Sequence, residues 1–250
     1  MKLGFSYNLF DGEELLPYAI SPIREHVDFI SVVVQSISNK GVKFEHKMDW
    51  EHLVDKVYHY EPDFDLSPRQ NECRKREIGR RISEKHGCTH HASLDVDEFY
   101  KPEQIEFARG FEGDVSLALY ANYFKSPCWK VIPDNKYLVN FIHKIGLKYT
   151  MDADFPYAVD ITRKVEGGQD YLVFLRDDVE MQHMTFVRRN IALKIQNSSI
   201  SDLYTEELIE VHRNYELGET FFLPPSKQPH TTIEVENLFQ IPEESWEHHQ

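Results

Sequence analysis

The sequence predicts an α/β fold with a doubly wound, mainly parallel sheet flanked by helices, followed by a mixed C-terminal half. Two observations lead to this prediction. Strand-like and helix-like segments alternate through the first hundred residues, as in βαβ units. One strand-like segment, "DFISVVVQSI", is a near-continuous apolar run. Such a run is typical of a parallel strand that helices cover on both faces.

The first 41 residues read as strand, helix and strand. "LGFSYNLF" is the first predicted strand, "GEELLPYAISPIREHV" carries helical periodicity, and "DFISVVVQSI" is the second strand. Asp11 and Glu14 have the spacing of a capping box at the start of the helix. Pro17 and Pro22 are expected to kink or divide it.

Further segments complete the first half. We expect a helix over "DWEHLVDKVYHY", a loop over "EPDFDLSPRQ", a second helix from about Asn71 to His86 that Gly87 closes, and a strand over "CTHHASLDV". The second half is less regular. "DVSLALYANYF" and "KYLVNFIHKI" are predicted strands, and "TFVRRNIALKIQNSS" and "SDLYTEELIEVHRNYEL" are predicted helices before a Pro-punctuated tail. We expect one domain over residues 1–200, with residues 201–250 packed on it as a C-terminal helix and tail.

Composition limits the classes of function. The chain has 250 residues, 41% of them hydrophobic, which is enough for a sizeable core. A formal charge of −14 argues against nucleic-acid binding, so an anionic ligand requires a local basic patch. Three cysteines without paired spacing fit a reducing compartment. With no signal-like N-terminus and no apolar stretch of membrane-spanning length, we expect a cytoplasmic protein whose membrane role, if any, is peripheral.

The segment "HASLDVDEFY" places Asp95, Asp97 and Glu98 within four positions, where a parallel strand is predicted to end. Clustered carboxylates repel one another unless a cation, hydrogen bonds or water compensate their charge. Ligands of open α/β sheets bind at the carboxyl ends of the strands. Hard carboxylate oxygens suit Mg²⁺ or Mn²⁺.

Three interpretations of this acidic segment compete. It is either a solvated corner between strand and loop, the nucleophile motif of a haloacid dehalogenase-type phosphatase, or the Asp-x-Asp motif of a nucleotide-sugar transferase. The phosphatase motif requires a Thr where this chain has Phe99, which argues against the second interpretation.

A basic segment lies directly upstream, in "RQNECRKREIGRRISEK". It holds seven of the 28 basic residues, namely Arg69, Arg74, Lys75, Arg76, Arg80, Arg81 and Lys85. On a helix, Arg76 and Arg80 lie one turn apart on one face, and the helix start near Asn71 presents free N–H groups, so both features could attract a diphosphate. A solvated helix face balanced by glutamates is the alternative.

A third group of residues lies in "RDDVEMQHMTFVRRNIALKIQNSS". His183 precedes a predicted helix that carries Arg188, Arg189 and Lys194. A neutral imidazole could complete an octahedral metal shell begun by the carboxylates. A structural histidine is the alternative.

Together these segments, with "FSYNLFDGEELL" and "VDFISVVVQSISNKG", resemble family 2-like glycosyltransferases of the GT-A fold, found in polysaccharide-building gene sets of bacteria and large viruses. The resemblance covers roughly residues 1 to 200. It implies a GT-A-like domain with a nucleotide-binding half over about 1–100 and an acceptor half over about 101–200.

The resemblance also implies roles for particular residues. Asp97 is the expected metal ligand with His183, while Asp95 meets the metal, or the ribose of the donor. Nucleotide contacts fall on Tyr7, Asn8 and Gln35, beside Arg76 and Arg80 from the basic segment. Family members often have an acidic residue where this chain has Gln35, which leaves the nucleotide open. The implied cofactor is Mn²⁺ or Mg²⁺.

Inverting relatives use an Asp or Glu between the Asp-x-Asp motif and the histidine as general base. Asp152 and Asp154 in "MDADFP" and the acidic residues of "RDDVE", among them Glu180, are candidates, and Asp154 is favoured. Trp129 could stack on an acceptor sugar.

The expected function is therefore metal-dependent transfer of a sugar from a nucleoside diphosphate donor to a hydroxyl of a saccharide or glycan acceptor, with inversion. The alternative is a divalent-metal nucleotide-binding protein without sugar transfer, either a degenerate transferase or a nucleotidyltransferase-like enzyme. A base within reach of a bound acceptor would separate the two.

Overall fold

The computed structural model describes residues 1–198, 206–223 and 228–246. Its first half contains β1 (Leu3–Leu9), α1 (Leu16–Ile20), β2 (Phe29–Val34), β3 (Lys56–His59), α2 (Pro68–Lys85), β4 (His90–Asp95) and β5 (Glu98–Phe99). Its second half contains α3 (Pro102–Ala108), β6 (Val115–Phe124), β7 (Trp129–Ile132), β8 (Leu138–Lys144), β9 (Lys148–Tyr149), β10 (Val165–Glu166), β11 (Tyr171–Val173), β12 (Glu180–Phe186), α4 (Ile191–Asn197), α5 (Glu206–Asn214), β13 (Phe221–Phe222) and β14 (Pro229–Glu234).

One large mixed sheet organises these elements. Strands β3, β2, β1 and β4 are parallel neighbours in that order, and β8 then pairs antiparallel with both β4 and β6. Strand β12 runs parallel to β6 and also pairs antiparallel with β5. A parallel N-terminal half with a mixed C-terminal half is the fold class that the sequence predicts, and the structure confirms it.

The first two strands show why the sheet is parallel here. Every residue of β1 and β2 is buried, as expected for strands covered on both faces. Helix α2 packs on one face, and its Gly79 allows a close approach, because a Cβ at this position would lie 2.2 Å from the hydroxyl oxygen of Ser6. This packing holds the strand ends in register, with Asn8 beside Asp95.

Helix α2 has clear signals at both ends. Ser67 caps it, since its side chain accepts from the Gln70 amide while the Gln70 side chain accepts from the Ser67 amide. The helix therefore starts three residues before the predicted Asn71, whose side chain instead fixes the preceding loop by accepting from the Tyr60 hydroxyl. The predicted end at Gly87 is confirmed, and this glycine has a φ of 74°.

Two predictions about the first half are wrong. The segment "DWEHLVDKVYHY" forms a 3₁₀ turn at Glu51–Leu53 and then β3, because its apolar residues fit a strand at the sheet edge as well as a helix. The helix after β1 has no capping box. It begins at Gly12, with a φ of 78°, and Glu14 accepts from the Arg189 amide instead. As the prolines predict, this helical stretch is divided, with α1 between 3₁₀ turns.

The segment "TFVRRNIALKIQNSS" also differs from its prediction. Its first residues belong to β12, which pairing with β6 extends to Phe186, and of its described residues only Ile191–Asn197 is helical. The predicted helix "SDLYTEELIEVHRNYEL" includes α5, and its first five residues lie outside the described ones. Strand β14 pairs with β7, and α5 packs on a core cluster around Phe124. No helix in the described ranges is long and apolar enough to cross a membrane.

Candidate active site

A cavity of about 1270 Å³ opens at the carboxyl ends of the parallel strands. Asn8 and Asp95 line it from β1 and β4, and Gln35 follows β2. Asn122 of β6 and His183 of β12 line its other side. The cavity therefore joins the two halves of the chain at the edge of the sheet where α/β proteins bind ligands.

The carboxylate of Asp95 is bound by two guanidinium groups. Arg76 donates to both of its oxygens, at 3.1 and 3.0 Å, and Arg163 donates at 3.1 Å. The amide of Asn8 adds a bond of 3.3 Å to the same carboxylate. Burial raises the pKa of Asp95, but the charges of Arg76 and Arg163 outweigh it and lower that pKa below its usual value. This carboxylate is fully ionised at neutral pH.

Glu98 shares Arg163 with Asp95. Its carboxylate pairs closely with Arg163 and also accepts from the Asp95 amide at 3.0 Å. Burial raises the pKa of Glu98 to about 7, with Arg163 lowering it and Asp95 raising it. Glu98 therefore carries part of its charge at neutral pH.

Asp97 is fully buried and has two cations on one oxygen. Its Oδ2 accepts from Arg188 at 2.7 Å and from Lys194 at 3.0 Å. Arg188 also donates to the Asp11 carbonyl at 3.0 Å, and it passes so close to Gly12 that a Cβ there would lie 1.3 Å from its Nη1. Burial raises the pKa of Asp97, but Lys194 and Arg188 hold it well below its usual range.

These residues form one group, which we call the charge cluster. It consists of Arg76, Asp95, Asp97, Glu98, Arg163, Arg188 and Lys194. Four cations thus face three carboxylates, one of which is only partly ionised. Next to the cluster, Glu72 pairs with both Arg76 and Lys75, which adds one charge of each sign. The cluster therefore carries a net positive charge although the chain as a whole carries −14. A site of this kind attracts an anion.

His183 lies on β12 next to Met184, whose amide donates to the Asp97 carbonyl at 2.7 Å. It pairs in register with Asn122 on β6 and with Glu98 on β5. Its Nδ1 is 3.2 Å from Asn122 Oδ1, and since an amide oxygen only accepts, we assign the ring proton to Nδ1. Burial lowers the pKa of His183 to about 4, although Asp97 opposes this. The ring is therefore neutral at physiological pH.

The neutral imidazole suits a divalent metal ion, but the carboxylates do not. Both cations contact Oδ2 of Asp97, and its Oδ1 is buried without a hydrogen-bond partner among the residues that the structure describes. Asp95 is already bound by two arginines. In the part of the chain that the structure describes, no group of three or more His, Cys, Asp or Glu side chains is placed to hold a metal ion. The residues as arranged do not fit Mn²⁺ or Mg²⁺.

Of the predicted nucleotide contacts, four line the cavity, namely Asn8, Gln35, Arg76 and Asp95. Two lie elsewhere. Tyr7 is fully buried beneath the strand end, with its hydroxyl donating to the Ala19 carbonyl at 3.4 Å. Arg80 pairs with Glu77 at 2.9 Å and with Glu84 at 3.1 Å, one turn further along α2.

The predicted catalytic and acceptor residues lie away from the charge cluster. Asp152 and Asp154 are exposed, and Asp154 lines a separate depression of about 770 Å³. Glu180 pairs with Arg176 and lies 3.8 Å from Lys130. Trp129 packs against the core cluster around Phe124, with its ring 6.0 Å from that of Tyr215.

Several lining residues escaped the sequence interpretation, and three of them matter for the site: Arg163, Asp160 and Tyr137. Arg163 and Asp160 belong to one short 3₁₀ turn, Ile161–Arg163, which Asp160 caps by accepting from the Thr162 amide at 2.7 Å. The segment carries no periodicity, although its Asp-x-Thr spacing is that of a cap. Tyr137 is 67% exposed at the cavity, in a loop without any distinctive pattern.

No protein-family model and no curated protein sequence matches this chain. Among solved structures it matches S. aureus TarS (12% identity, TM-score 0.43, 86% of this chain) and spans 44% of that chain's length. A structure of S. aureus TarS 1-349 in complex with UDP-GlcNAc gives 14% identity and a TM-score of 0.41 over 86% of this chain and 74% of that chain.

Two further matches are smaller proteins. A glycosyltransferase involved in the glycosylation of the major capsid of PBCV-1 gives 14% identity and a TM-score of 0.35 over 78% of this chain and 97% of that chain. The inositol-1-phosphate CTP transferase from T. maritima gives 10% identity and a TM-score of 0.37 over 85% of this chain and 95% of that chain. These neighbours include glycosyltransferases, but TM-scores below 0.5 carry no argument about the chemistry of this chain.

Proposed function

We propose that the protein is a glycosyltransferase that moves a sugar from a nucleoside diphosphate donor to a hydroxyl of a saccharide acceptor, with inversion at the anomeric carbon. The observation that supports this most is the charge cluster, a net positive group in an acidic protein, placed in a cavity at the carboxyl ends of parallel strands. A diphosphate is the kind of anion that such a site would hold.

The nucleotide-binding side is proposed to be the N-terminal half. Asn8, Gln35 and Asn39 line the cavity there, and Gln35 donates to Asn39 Oδ1 at 2.9 Å. Because these amide groups are neutral, they suit a base or ribose, while Arg76 in the same lining suits a phosphate.

Asp160 is the carboxylate that we propose as general base. It lines the cavity, and its Oδ1 accepts from both the amide and the hydroxyl of Thr162 at 2.7 Å. Its Oδ2 has no hydrogen-bond partner among the described residues. The other lining carboxylates differ: Glu72, Asp95, Glu98 and Asp134 form ion pairs, and Asp11 interacts with the charges of Arg188 and Lys194. One oxygen of Asp160 is therefore positioned and the other is available to accept a proton.

The proposed reaction is a direct displacement at the anomeric carbon of the donor. The acceptor oxygen forms a bond to the anomeric carbon and its proton passes to Asp160. The bond between that carbon and the diphosphate oxygen breaks, and its electron pair leaves on the diphosphate. Tyr137, exposed at the cavity, offers an aromatic surface for the acceptor ring.

The test is transfer from a panel of nucleotide sugars to saccharide acceptors with Asp160→Asn and Asp154→Asn variants. We expect Asp160→Asn to lower kcat about 10²- to 10⁴-fold while nucleoside diphosphate affinity stays unchanged. Asp154→Asn is the matched control, since that residue lines the separate depression. Loss of activity in Asp154→Asn alone would favour the base that the sequence suggests. Binding of nucleotide sugars without transfer would favour the alternative of a binding protein. The anomeric configuration of the product, read by NMR, tests inversion.

A further inference from the structure

The four cations of the charge cluster differ in how many of their hydrogens are already used. Arg76 donates through Nε, Nη1 and Nη2 to Thr162, Ser93 and Asp95. Arg163 donates to the Ser93 carbonyl and to the cluster's carboxylates. These two arginines are held by the protein, and they leave few hydrogens for a ligand.

Lys194 and Arg188 have hydrogens to spare. The ammonium group of Lys194 has three hydrogens and donates one, to Asp97 Oδ2. Its side chain is 24% exposed, whereas that of Arg188 is 2% exposed. The Nε of Arg188 is buried and has no hydrogen-bond partner among the described residues. Both residues line the cavity.

The carboxylate that holds these cations is itself withdrawn from the cavity. Asp97 is fully buried and is not among the described residues that line the cavity. The two cations that contact it, Lys194 and Arg188, line the cavity instead. A metal ion on Asp97 Oδ2 would have to displace Lys194 and would stand close to a second cation, which like-charge repulsion opposes.

We propose that Lys194, supported by Arg188, binds the diphosphate of the donor and compensates the charge of the leaving group, the task that a divalent cation performs in the family that the sequence resembles. This inference rests on the proposed function. As the bond to the anomeric carbon breaks, the electron pair moves to the diphosphate oxygen, and Lys194 stabilises it through hydrogen bonds without transferring a proton. A fixed cation in a partly closed cavity does this without reorganisation.

The experiment measures binding of UDP, GDP, CDP and ADP to the full chain by thermal shift, in EDTA and in Mn²⁺. The nucleotide that raises Tm most is then titrated by calorimetry, beside its nucleoside. The variants are Lys194→Met, which keeps the aliphatic stem, Lys194→Arg, which keeps the charge, and Lys148→Met, which removes an exposed lysine of β9 as a control.

We expect binding of the diphosphate in EDTA that Mn²⁺ does not strengthen. Lys194→Met should weaken it at least about tenfold while leaving nucleoside binding unchanged, because a charge-assisted contact to phosphate is lost. Lys194→Arg should retain most of the affinity, and Lys148→Met all of it.

Other outcomes overturn one proposal or both. Binding that requires Mn²⁺, or binding in EDTA that Lys194→Met leaves unchanged, overturns the role of Lys194 but keeps the proposed function. If Lys194→Met weakens the binding of diphosphate and of nucleoside equally, Lys194 is a structural residue, and its proposed role is overturned too. If no nucleoside diphosphate binds in EDTA or in Mn²⁺, the proposed function fails, and this inference with it.

Discussion

At the scale of the residue, Asp97 is a buried carboxylate whose charge is compensated by two neighbouring cations. Its carboxylate is fully buried, with Arg188 and Lys194 on Oδ2 and, within the described part of the chain, no partner on Oδ1. A buried charge costs several kcal/mol unless it is paired. The carboxylate and the two cations therefore stabilise one another, and the removal of one leaves the others uncompensated.

We predict that Asp97→Asn lowers the free energy of unfolding by about 3–5 kcal/mol, because it leaves the buried Arg188 without its carboxylate. Urea unfolding followed by circular dichroism measures this. The control is Asp49→Asn, whose side chain is 90% exposed and for which we expect no change. Equal stability of the two variants would mean that the Arg188 charge is compensated elsewhere.

Residues at strand ends could be predicted from the sequence, and residues in loops could not. The sequence predicts Asp95 at the end of a parallel strand, and the resemblance implies Asn8 and Gln35 at the ends of two others, so the topology of a parallel sheet brings the three together. Arg163 and Asp160 lie in a single 3₁₀ turn. The contact of Arg163 with Asp95 depends on packing between segments 68 residues apart, which no local pattern records.

At the scale of the element, α2 shows that a shared helix face is not sufficient for a shared role. Arg76 and Arg80 lie one turn apart, but only Arg76 of this pair reaches Asp95. One turn moves a side chain about 5.4 Å along the axis. At that distance Arg80 meets Glu77 and Glu84 of its own helix instead.

The capping of α2 gives a prediction at this scale. Ser67→Ala should lower the free energy of unfolding by about 1 kcal/mol, because the Gln70 amide loses its acceptor. Ser67→Asn, which can still cap, should keep most of the stability and serves as the matched variant. Chemical denaturation of both compares them directly, and an equal loss in the two would show that the hydroxyl does not act as a cap.

Strand β3 marks the limit of periodicity as a guide to elements. Leu53, Val54 and Val57 pack against the main core and have a spacing that fits a helix. The structure uses the segment as an edge strand beside β2. Position in the sheet decided its conformation, and a short segment does not carry that information. Position in the sheet also explains the start of "TFVRRNIALKIQNSS", which pairs with β6 as part of β12.

At the scale of the whole molecule, buried histidines connect stability to pH. His91 and His143 are fully buried, with ring centroids 5.5 Å apart. Burial lowers the pKa of His143 to about 4, with Arg80 adding to this and a backbone bond and Glu77 opposing it. Burial also lowers the pKa of His91 well below its usual value.

The direction of the change in stability with pH follows from proton binding in the folded and unfolded chain. Between pH 6.5 and 4 the unfolded chain binds a proton at His143 that the folded chain excludes, so stability rises with pH and falls on acidification. For this residue alone the loss between pH 7.5 and 5.5 is about 1.4 kcal/mol. Unfolding in urea at the two pH values should give a smaller difference in His143→Leu than in the wild type.

The control for this prediction is His52→Leu, whose side chain is 64% exposed. We expect its pH dependence to equal that of the wild type. If His143→Leu kept the full dependence, the other buried histidines would account for it.

Strand β12 has a consequence for how the chain completes its folding. This strand lies between β6 and β5, and Arg188 and Lys194 follow it in the chain. Arg188 contacts Asp97, 91 residues earlier, and Asp11, 177 residues earlier. Lys194 contacts Asp97 across 97 residues. During synthesis the acidic segment therefore emerges long before the cations that neutralise it. A nascent chain that stops before β12 has an uncompensated Asp97, and β5 has no strand to pair with. The cavity is therefore incomplete until β12 and the residues after it are in place. We predict that a chain truncated before β12 is degraded by protease faster than the intact chain.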